Sequence, residues 1–422
     1  MNRVITKKTN SAGRFTINMC FLIFYIITSY IAQDGLLPTV LNSLALYGFL
    51  GVSFLNLCYN LKEIFLPNFT IWYGAVFVLS ALSFLYSRHV TTSALYAMFV
   101  ALVLSFCFIT TVTDFDKIDM LARTYIWSSV IMSIILYFTD QLILDVEEGE
   151  RLGQELSGNA NAFAAMVMSS AIFAAWLMVY RCKWKTRWIY ILAFVSQLFV
   201  MALSGGRKYL FATIICAMVF IFFYSDKKHT PVTRNLFICL MLLFAAYFAI
   251  MNIPMLYESI GKRFESLYND IFGLNDSTNT VSGMDIRSKM IQIGLEGWLE
   301  APLFGHGLDS FKYFNVTQTG HFYYAHNNYV ELLYDLGLTG FIAYYGFVVY
   351  MLVKLIKMPR DLLKYKILGV GLLVELLIYD FGGVAFYATF SICILAVVYI
   401  IIKTAYEQIN SNKVGSEAIS NG

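Results

Sequence analysis

The sequence predicts an all-α polytopic membrane protein of about twelve transmembrane helices, with a large extracytoplasmic loop that contains short amphipathic helices. Two observations support this prediction. Hydrophobic residues make up 59% of the 422 residues and charged residues only 14%, whereas about a quarter of the residues of a soluble domain are charged. Apolar runs of about 20 residues, the length that crosses a hydrocarbon core, recur along nearly the whole chain.

Hydropathy places the spans in chain order, separated by short polar loops. They lie near residues 15–32, 39–61, 69–86, 94–112, 122–139, 160–180, 188–203, 208–224, 235–253, 329–353, 367–380 and 386–402. An even number of spans places both termini on one side of the membrane.

The charges of the loops predict that this side is the cytoplasm. Lys and Arg are concentrated in residues 181–187, 225–234 and 354–366, and such basic loops are typical of the cytoplasmic face. On the opposite side, residues 140–157 are mainly acidic. We therefore expect a multi-pass membrane protein with both termini in the cytoplasm.

The predicted spans divide the chain into four parts. Residues 1–253 hold nine helices, residues 254–328 form an external lobe, residues 329–402 hold three helices, and residues 403–422 form a cytoplasmic tail. The lobe contains two amphipathic patterns, LYESIGKRFESLYNDIF and DIRSKMIQIGLEGWLEA. Such patterns predict short helices that lie over the bundle.

Three basic residues on the external side in this topology are candidates for the site, namely Arg207, Arg287 and His326. Arg207 follows the turn Ser204–Gly206, and a guanidinium there suits bidentate binding of phosphate oxygens. An arginine that snorkels to lipid headgroups is the alternative interpretation. For Arg287 the alternative is a solvated charge or a surface ion pair.

His326 is the sharpest candidate, because an imidazole can take a proton from a hydroxyl group at neutral pH. A purely structural histidine at a helix start is the alternative. Asn327 and Asn328 follow and are expected to cap the next helix. Glu331 lies farther along and is expected to orient a neighbouring donor. Tyr324 precedes the histidine and can stack on a sugar ring, with an aromatic belt at the membrane interface as the alternative interpretation.

Other features restrict the function classes. The net charge of +3 is too small to indicate a nucleic-acid partner. The sequence has no phosphate-binding Walker loop, no dinucleotide-binding glycine fingerprint and no HExxH zinc motif. We therefore expect no cofactor and no metal. A group transferred outside the cell must then arrive already activated, for instance on a lipid pyrophosphate.

Four motifs, in this order, resemble the O-antigen polymerase and O-antigen ligase family of bacterial polysaccharide assembly. They are SGNANAFA (157–164), LSGGRKYL (203–210), RSKMIQIGLEGWLEAPLFGHGLDSF (287–311) and AHNNYVELLYDLGLTGFIAYY (325–345). The resemblance covers about the second half to two-thirds of the chain. It implies about twelve helices, an external lobe over a cavity, and a metal-independent glycosyl transfer from a donor on undecaprenyl pyrophosphate.

Carried over by position, the resemblance implies that Arg207 and Arg287 hold the pyrophosphate and that His326 deprotonates the acceptor hydroxyl group. Lys208, Asn327, Glu331 and Tyr324 are the expected substrate-binding residues. The family turn often has an arginine directly after its serine. Here Gly205 stands at that position, and Arg207 follows two positions later.

Three functions follow from these observations. The first is a polymerase that joins lipid-linked repeat units into a capsular polysaccharide, an exopolysaccharide or an O-antigen. The alternative is a ligase that transfers a finished glycan from the same carrier to a lipid A core or a protein. The third is a flippase or transporter, which is expected to show functional charges near the bilayer midplane and repeated halves. The expected partners are the lipid-linked glycan, membrane lipids, and a chain-length regulator and flippase of the same pathway.

Overall fold

The structure is a computed structural model, and it describes residues 17–32, 36–59, 66–139, 152, 160–224, 232–262 and 283–420. Within these residues the chain is helical and forms no β-strand, so the predicted fold class is confirmed. Most of the acidic stretch 140–157, the basic residues 225–231 and most of the first amphipathic pattern lie outside the described residues.

The described residues form the following helices of at least nine residues. They are α1 (Ile17–Ile31), α2 (Val40–Tyr59), α3 (Asn68–Leu82), α4 (Thr92–Thr111), α5 (Phe115–Phe138), α6 (Ala160–Tyr180), α7 (Trp184–Leu203), α8 (Arg207–Phe223), α9 (Val232–Asn252), α10 (Gly283–Glu300), α11 (Phe311–Thr319), α12 (Asn328–Ile356), α13 (Leu363–Asp380) and α14 (Thr389–Ser420). The second amphipathic pattern of the lobe is therefore a helix, α10, as expected.

A helix lies at each of the twelve predicted spans, but the number twelve is not confirmed. By length and composition, eight helices of the described residues can cross a membrane. Helices α1 and α8 are shorter, with 15 and 17 residues, and α13 carries Glu375 and Asp380 besides two lysines. The assignment of the lobe to the outside stays a prediction.

The core of the bundle lies around α6 and α14. In each of these helices 78% of an 18-residue apolar stretch is buried, whereas the corresponding share in α2, which faces outward, is 17%. Helix α6 is rich in Ala and Ser, and small side chains let neighbouring backbones approach closely inside a membrane. Trp176 of α6 is fully buried and donates from Nε1 to the carbonyl oxygen of Lys364 at 2.7 Å. This bond ties α6 to α13.

Helix α5 begins seven residues before the predicted start of its span. The prediction missed these first turns because their ionisable residues lower the mean hydropathy. Asp114 caps the helix by accepting from the backbone N–H of Lys117 at 2.9 Å. The guanidinium of Arg181 donates from Nε to Asp119 at 2.6 Å. Lys117 thus pairs with Asp114, and Asp119 pairs with Arg181, the residue that follows α6.

Helix α12 is interrupted at Gly337, whose φ of 62° and ψ of −163° are open only to glycine. The N–H groups of Leu338 and Thr339, freed by this kink, donate to the carbonyl oxygens of Pro302 and Leu303 at 2.9 and 3.1 Å. A Cβ at position 337 would lie 2.5 Å from the Leu303 carbonyl group. The kink therefore docks the lobe directly on the membrane helix.

Candidate active site

The candidate histidine lies in the connection between α11 and α12. Helix α11 ends at Gly320, which adopts a left-handed conformation with φ of 75°. His326 itself has φ of 51°, a conformation that is uncommon for residues other than glycine and that persists only where the surroundings hold it. The backbone at His326 is thus fixed in a particular orientation by the bonds on either side of it.

Asn327 supplies the first of these bonds. Its side-chain oxygen accepts from the backbone N–H groups of Tyr329 and Val330 at 3.0 and 3.2 Å, so it caps α12 as expected. On the other side, Glu331 accepts from the backbone N–H of Ala325 at 2.5 Å. The residues directly before and after His326 are therefore both anchored to the first turn of α12.

The expectation that Asn328 also caps α12 is wrong. Asn328 is the first residue of the helix and is fully buried. It donates from Nδ2 to the hydroxyl group of Tyr345 at 2.7 Å, and its Oδ1 accepts from the N–H groups of Ala385 and Phe386 at 2.7 and 3.1 Å. Its role is therefore to join α12 to the connection between α13 and α14.

The side chain of His326 is half-buried, and its ring lies 4.2 Å from the ring of Tyr324. Within the described residues, the buried Nδ1 atom has no hydrogen-bond partner. Burial, followed by the positive charges of Arg287 and Lys208, lowers the pKa of His326 from 6.5 to about 4. The imidazole is therefore neutral at pH 7 and able to accept a proton.

Lys208 lies in the first turn of α8 and points its ammonium group towards the end of α13. It donates from Nζ to the carbonyl oxygen of Ile378 at 3.2 Å. A Cβ at Gly382 would overlap this ammonium group, so glycine leaves the room that the lysine occupies. The carboxylate of Asp380 attracts Lys208, and the guanidinium of Arg287 repels it. Lys208 is thus a fixed cation beside His326.

Arg287 lies on α10, and its side chain is exposed. Its charge acts on both His326 and Lys208. The structure therefore brings Arg287, Lys208 and His326 together, although they come from three separate helices or connections. Because Arg287 and Lys208 are both cations, an anionic group beside the neutral His326 is the ligand that their arrangement suits.

Arg207 is half-buried and is the first residue of α8, next to Lys208. The glycines before it have structural reasons of their own. Gly205 has φ of 64°, and a Cβ at Gly206 would lie 2.6 Å from the Cβ of Ala164 on α6. The small glycines of this turn therefore allow close packing against a neighbouring helix.

Asp380, at the end of α13, has its hydrogen-bond partner in another helix. Asp380 is buried and accepts from the hydroxyl group of Tyr345 at 2.8 Å. Tyr345 in turn accepts from Asn328. The carboxylate thus connects the cation Lys208 to the helix that begins beside His326. An aspartate in an apolar span was the signal in the sequence, but its partner is distant along the chain.

The fold defines the chain as a polytopic α-helical membrane protein. Residues 192–345 match the family model described as O-antigen ligase, so this region of the chain is similar to the O-antigen ligase and polymerase-like family. The matched region contains Arg207, Arg287 and His326. Members of this family are glycosyltransferase-like ligases and polymerases.

One relative is an uncharacterized protein of Haemophilus influenzae. It is 26% identical over 171 residues, which cover 38% of this chain and 41% of that protein. The chain therefore spans about two fifths of the length of this relative.

Proposed function

We propose that this protein is a polysaccharide polymerase that joins glycan repeat units carried on undecaprenyl pyrophosphate at the outer face of the cytoplasmic membrane. One observation carries the proposal. A neutral, half-buried histidine with an unused ring nitrogen, judged within the described residues, lies beside two cations in the region that matches the family. This arrangement combines a base with a site for a pyrophosphate.

In the proposed reaction, Arg287 and Lys208 hold the pyrophosphate of the donor, with Arg207 at the start of the same helix as Lys208. His326 removes the proton from a hydroxyl group of the acceptor glycan. The hydroxyl oxygen forms a bond to the anomeric carbon of the donor sugar, while the bond from that carbon to the pyrophosphate oxygen breaks. The electron pair leaves with undecaprenyl pyrophosphate, and His326 passes its proton to the departing phosphate or to water.

The cations of the chain favour this reaction in two ways. They neutralise the charge that develops on the leaving pyrophosphate, and fixed charges achieve this without reorganising in the transition state. The bound anion also offsets the repulsion that Arg287 and Lys208 exert on a protonated His326. The pKa of the histidine therefore rises when the donor binds, which makes it a stronger base in the complex.

The substrate-binding roles divide according to the contacts. Tyr324 lies against the His326 ring and is placed to contact the reacting sugar. Asn327 and Glu331 use their side chains to anchor the histidine connection, so we now assign them a positioning role. With cations of its own at the pyrophosphate, the transfer is expected to proceed without a metal ion. Activity that persists in excess EDTA tests this point.

An O-antigen ligase is the second candidate, and the description of the matching family model favours it. A ligase has the same donor chemistry and differs in its acceptor, a lipid A core or a protein. The products of a deletion strain separate the two. A single repeat unit on its acceptor indicates a lost polymerase, whereas full-length polymer held on the lipid carrier indicates a lost ligase.

The central experiment complements that deletion strain with His326→Ala. His321→Ala is the matched control, because His321 is an exposed histidine of the same connection. At equal expression, we expect the His326 variant to abolish long-chain polysaccharide and the His321 variant to retain it. Normal polysaccharide with His326→Ala would refute the role of the base.

Sidedness is tested separately with single cysteines in a cysteine-free background. Gln318 is exposed on α11 of the lobe, and Arg360 is exposed in the connection between α12 and α13. A membrane-impermeant maleimide is expected to label Gln318→Cys and to spare Arg360→Cys in intact spheroplasts. The reverse pattern would place the site on the cytoplasmic side and end the proposal.

A further inference from the structure

A cavity of about 420 Å³ lies between the α3–α4 connection and the lobe. Arg88 and His89 of that connection line one side, and Glu300, His306 and Tyr313 line the lobe side. None of His326, Lys208 and Arg287 lines it. The volume lies within the range of about 300–1,000 Å³ that is typical of small-molecule sites.

The walls of this cavity are held together by specific bonds. The hydroxyl group of Tyr86 donates to the carbonyl oxygen of Phe304 at 2.7 Å. The N–H of Leu308 donates to the hydroxyl oxygen of Ser83 at 2.9 Å. These bonds fix the α3–α4 connection on the lobe, so the cavity is formed before any ligand arrives. A preformed site loses little ordering entropy on binding.

The aromatic rings of the walls are also fixed in place. His89 stacks on Tyr313 with ring centroids 4.2 Å apart and planes 9° apart. His306 stacks on Tyr334 at 4.5 Å and makes a hydrogen bond from Nε2 with the carbonyl oxygen of Gly297 at 2.8 Å. Each stack presents a rigid surface that combines apolar ring area with a polar nitrogen or hydroxyl group.

The charged side chains at this cavity are not engaged elsewhere. Arg88 and Glu300 are exposed, and neither side chain makes a hydrogen bond or an ion pair within the part of the chain that the structure describes. One cation balanced by one anion does not favour a polyanion such as a nucleotide. Hydroxyl groups, by contrast, can donate to Glu300 and accept from Arg88, and such charge-assisted bonds are strong.

We propose that this cavity binds one or two sugar units of a glycan, as a site separate from His326. Aromatic rings offer a surface for the C–H faces of a sugar, and the surrounding polar groups bind its hydroxyl groups. The identity of the glycan rests on the proposed function. The sugars bound here are those away from the reacting bond.

Helix α11 connects this cavity with the candidate active site. Its residues Tyr313 and Thr317 line the cavity. Its residue Asn315 is buried and donates from Nδ2 to the carbonyl oxygens of His321 and Tyr323 at 2.9 and 3.1 Å. A glycan in the cavity therefore contacts the helix that holds the His326 connection.

The experiment measures binding of oligosaccharides to the purified full-length chain in nanodiscs by isothermal titration calorimetry. The probe is the surface polysaccharide of the strain that encodes the chain, cut to short oligosaccharides by partial acid hydrolysis. The test variants are Arg88→Ala and Tyr313→Ala. The controls are Arg360→Ala at the other end of the bundle and Gln318→Ala, an exposed residue of α11 that does not line the cavity.

We expect each test variant to raise the Kd about tenfold or more, while both controls bind like the wild type. His326→Ala is expected to bind normally, because His326 does not line the cavity. Arg88 is exposed, so Arg88→Ala should fold, and an unchanged thermal transition checks this.

Two results would overturn the proposal. The first is no binding by the wild type, or equal binding by wild type and both test variants. The second is a pocket specific for lipid headgroups, in which the test variants weaken binding of phosphatidylglycerol vesicles but not of oligosaccharide. Neither result affects the complementation with His326→Ala, so failure of this site and failure of the proposed function are distinguishable.

Discussion

The neutral state of His326 leads to the most specific prediction. Burial, Arg287 and Lys208 together lower the pKa of His326 from 6.5 to about 4. At 1.36 kcal/mol per pKa unit, this shift corresponds to about 3 kcal/mol against protonation. The folded chain therefore binds fewer protons at this residue than the unfolded chain between pH 6.5 and about 4. The stability that results is present above pH 6.5 and is lost as the pH falls through this interval.

The perturbation is Arg287→Gln, which removes the second largest cause of the shift. Burial is the largest cause, so the pKa should return only part of the way to 6.5, by about 0.5–1 unit. Lys289→Gln is the matched control, because Lys289 is an exposed cation of the same helix and is not among the causes of the shift. Arg287 is exposed, so its loss should leave the fold intact.

The assay is a pH titration of ¹⁵N-histidine-labelled protein by NMR. The chain has five histidines, and the signal that disappears in His326→Ala identifies the residue. In the wild type this signal should stay neutral down to about pH 5. A wild-type pKa near 6.5, or no response to Arg287→Gln, would refute the reasoning about burial and charge.

Three further predictions concern stability and are measured by thermal unfolding in detergent. Asn327→Ala removes the cap of α12 and should lower the free energy of unfolding by about 1 kcal/mol. Asn327→Ser should retain most of the stability, because serine also caps, and equal transitions for both variants would argue against the cap. Asp335→Ala should lower the free energy of unfolding by about 3 kcal/mol. The fully buried carboxylate of Asp335 accepts from three backbone N–H groups, at residues 309–311, and these groups lose their acceptor in the variant. A loss of stability below about 1 kcal/mol would contradict this. Gly337→Ala should destabilise the protein by about 1–3 kcal/mol or more, through backbone strain and overlap with Leu303. Gly346→Ala in the same helix should be neutral or stabilising, because its Cβ meets open space. Similar effects of the two variants would disprove the strain at Gly337.

Much of the fold was accessible from the sequence, because the length and hydropathy of a membrane helix are local properties. Every predicted span coincides with a helix. One deviation, at the start of α5, arises where Asp119 is paired with Arg181, the residue that follows α6. The mean hydropathy of consecutive residues cannot reveal such a pairing, since the residue that neutralises the charge is distant in sequence.

Less of the candidate site than of the fold could be predicted from the sequence. Residue type and position predicted the cap Asn327 correctly, because capping depends on the next few residues alone. The role of His326 stays a prediction. The same logic failed for Asn328, whose side chain bonds to Tyr345 and to the connection after α13. Neighbouring asparagines thus have different roles, and only long-range contacts distinguish them.

By itself, the sequence determined the class of protein, the order of its helices and the histidine before α12, since these depend on composition and short-range pattern. The tertiary structure decided which charges act on that histidine. It placed Lys208 from α8 and Arg287 from α10 beside His326, and it docked the lobe on the kink of α12 at Gly337. Electrostatic forces act through space rather than along the chain, and for this reason the neutral state of His326 is a property of the fold.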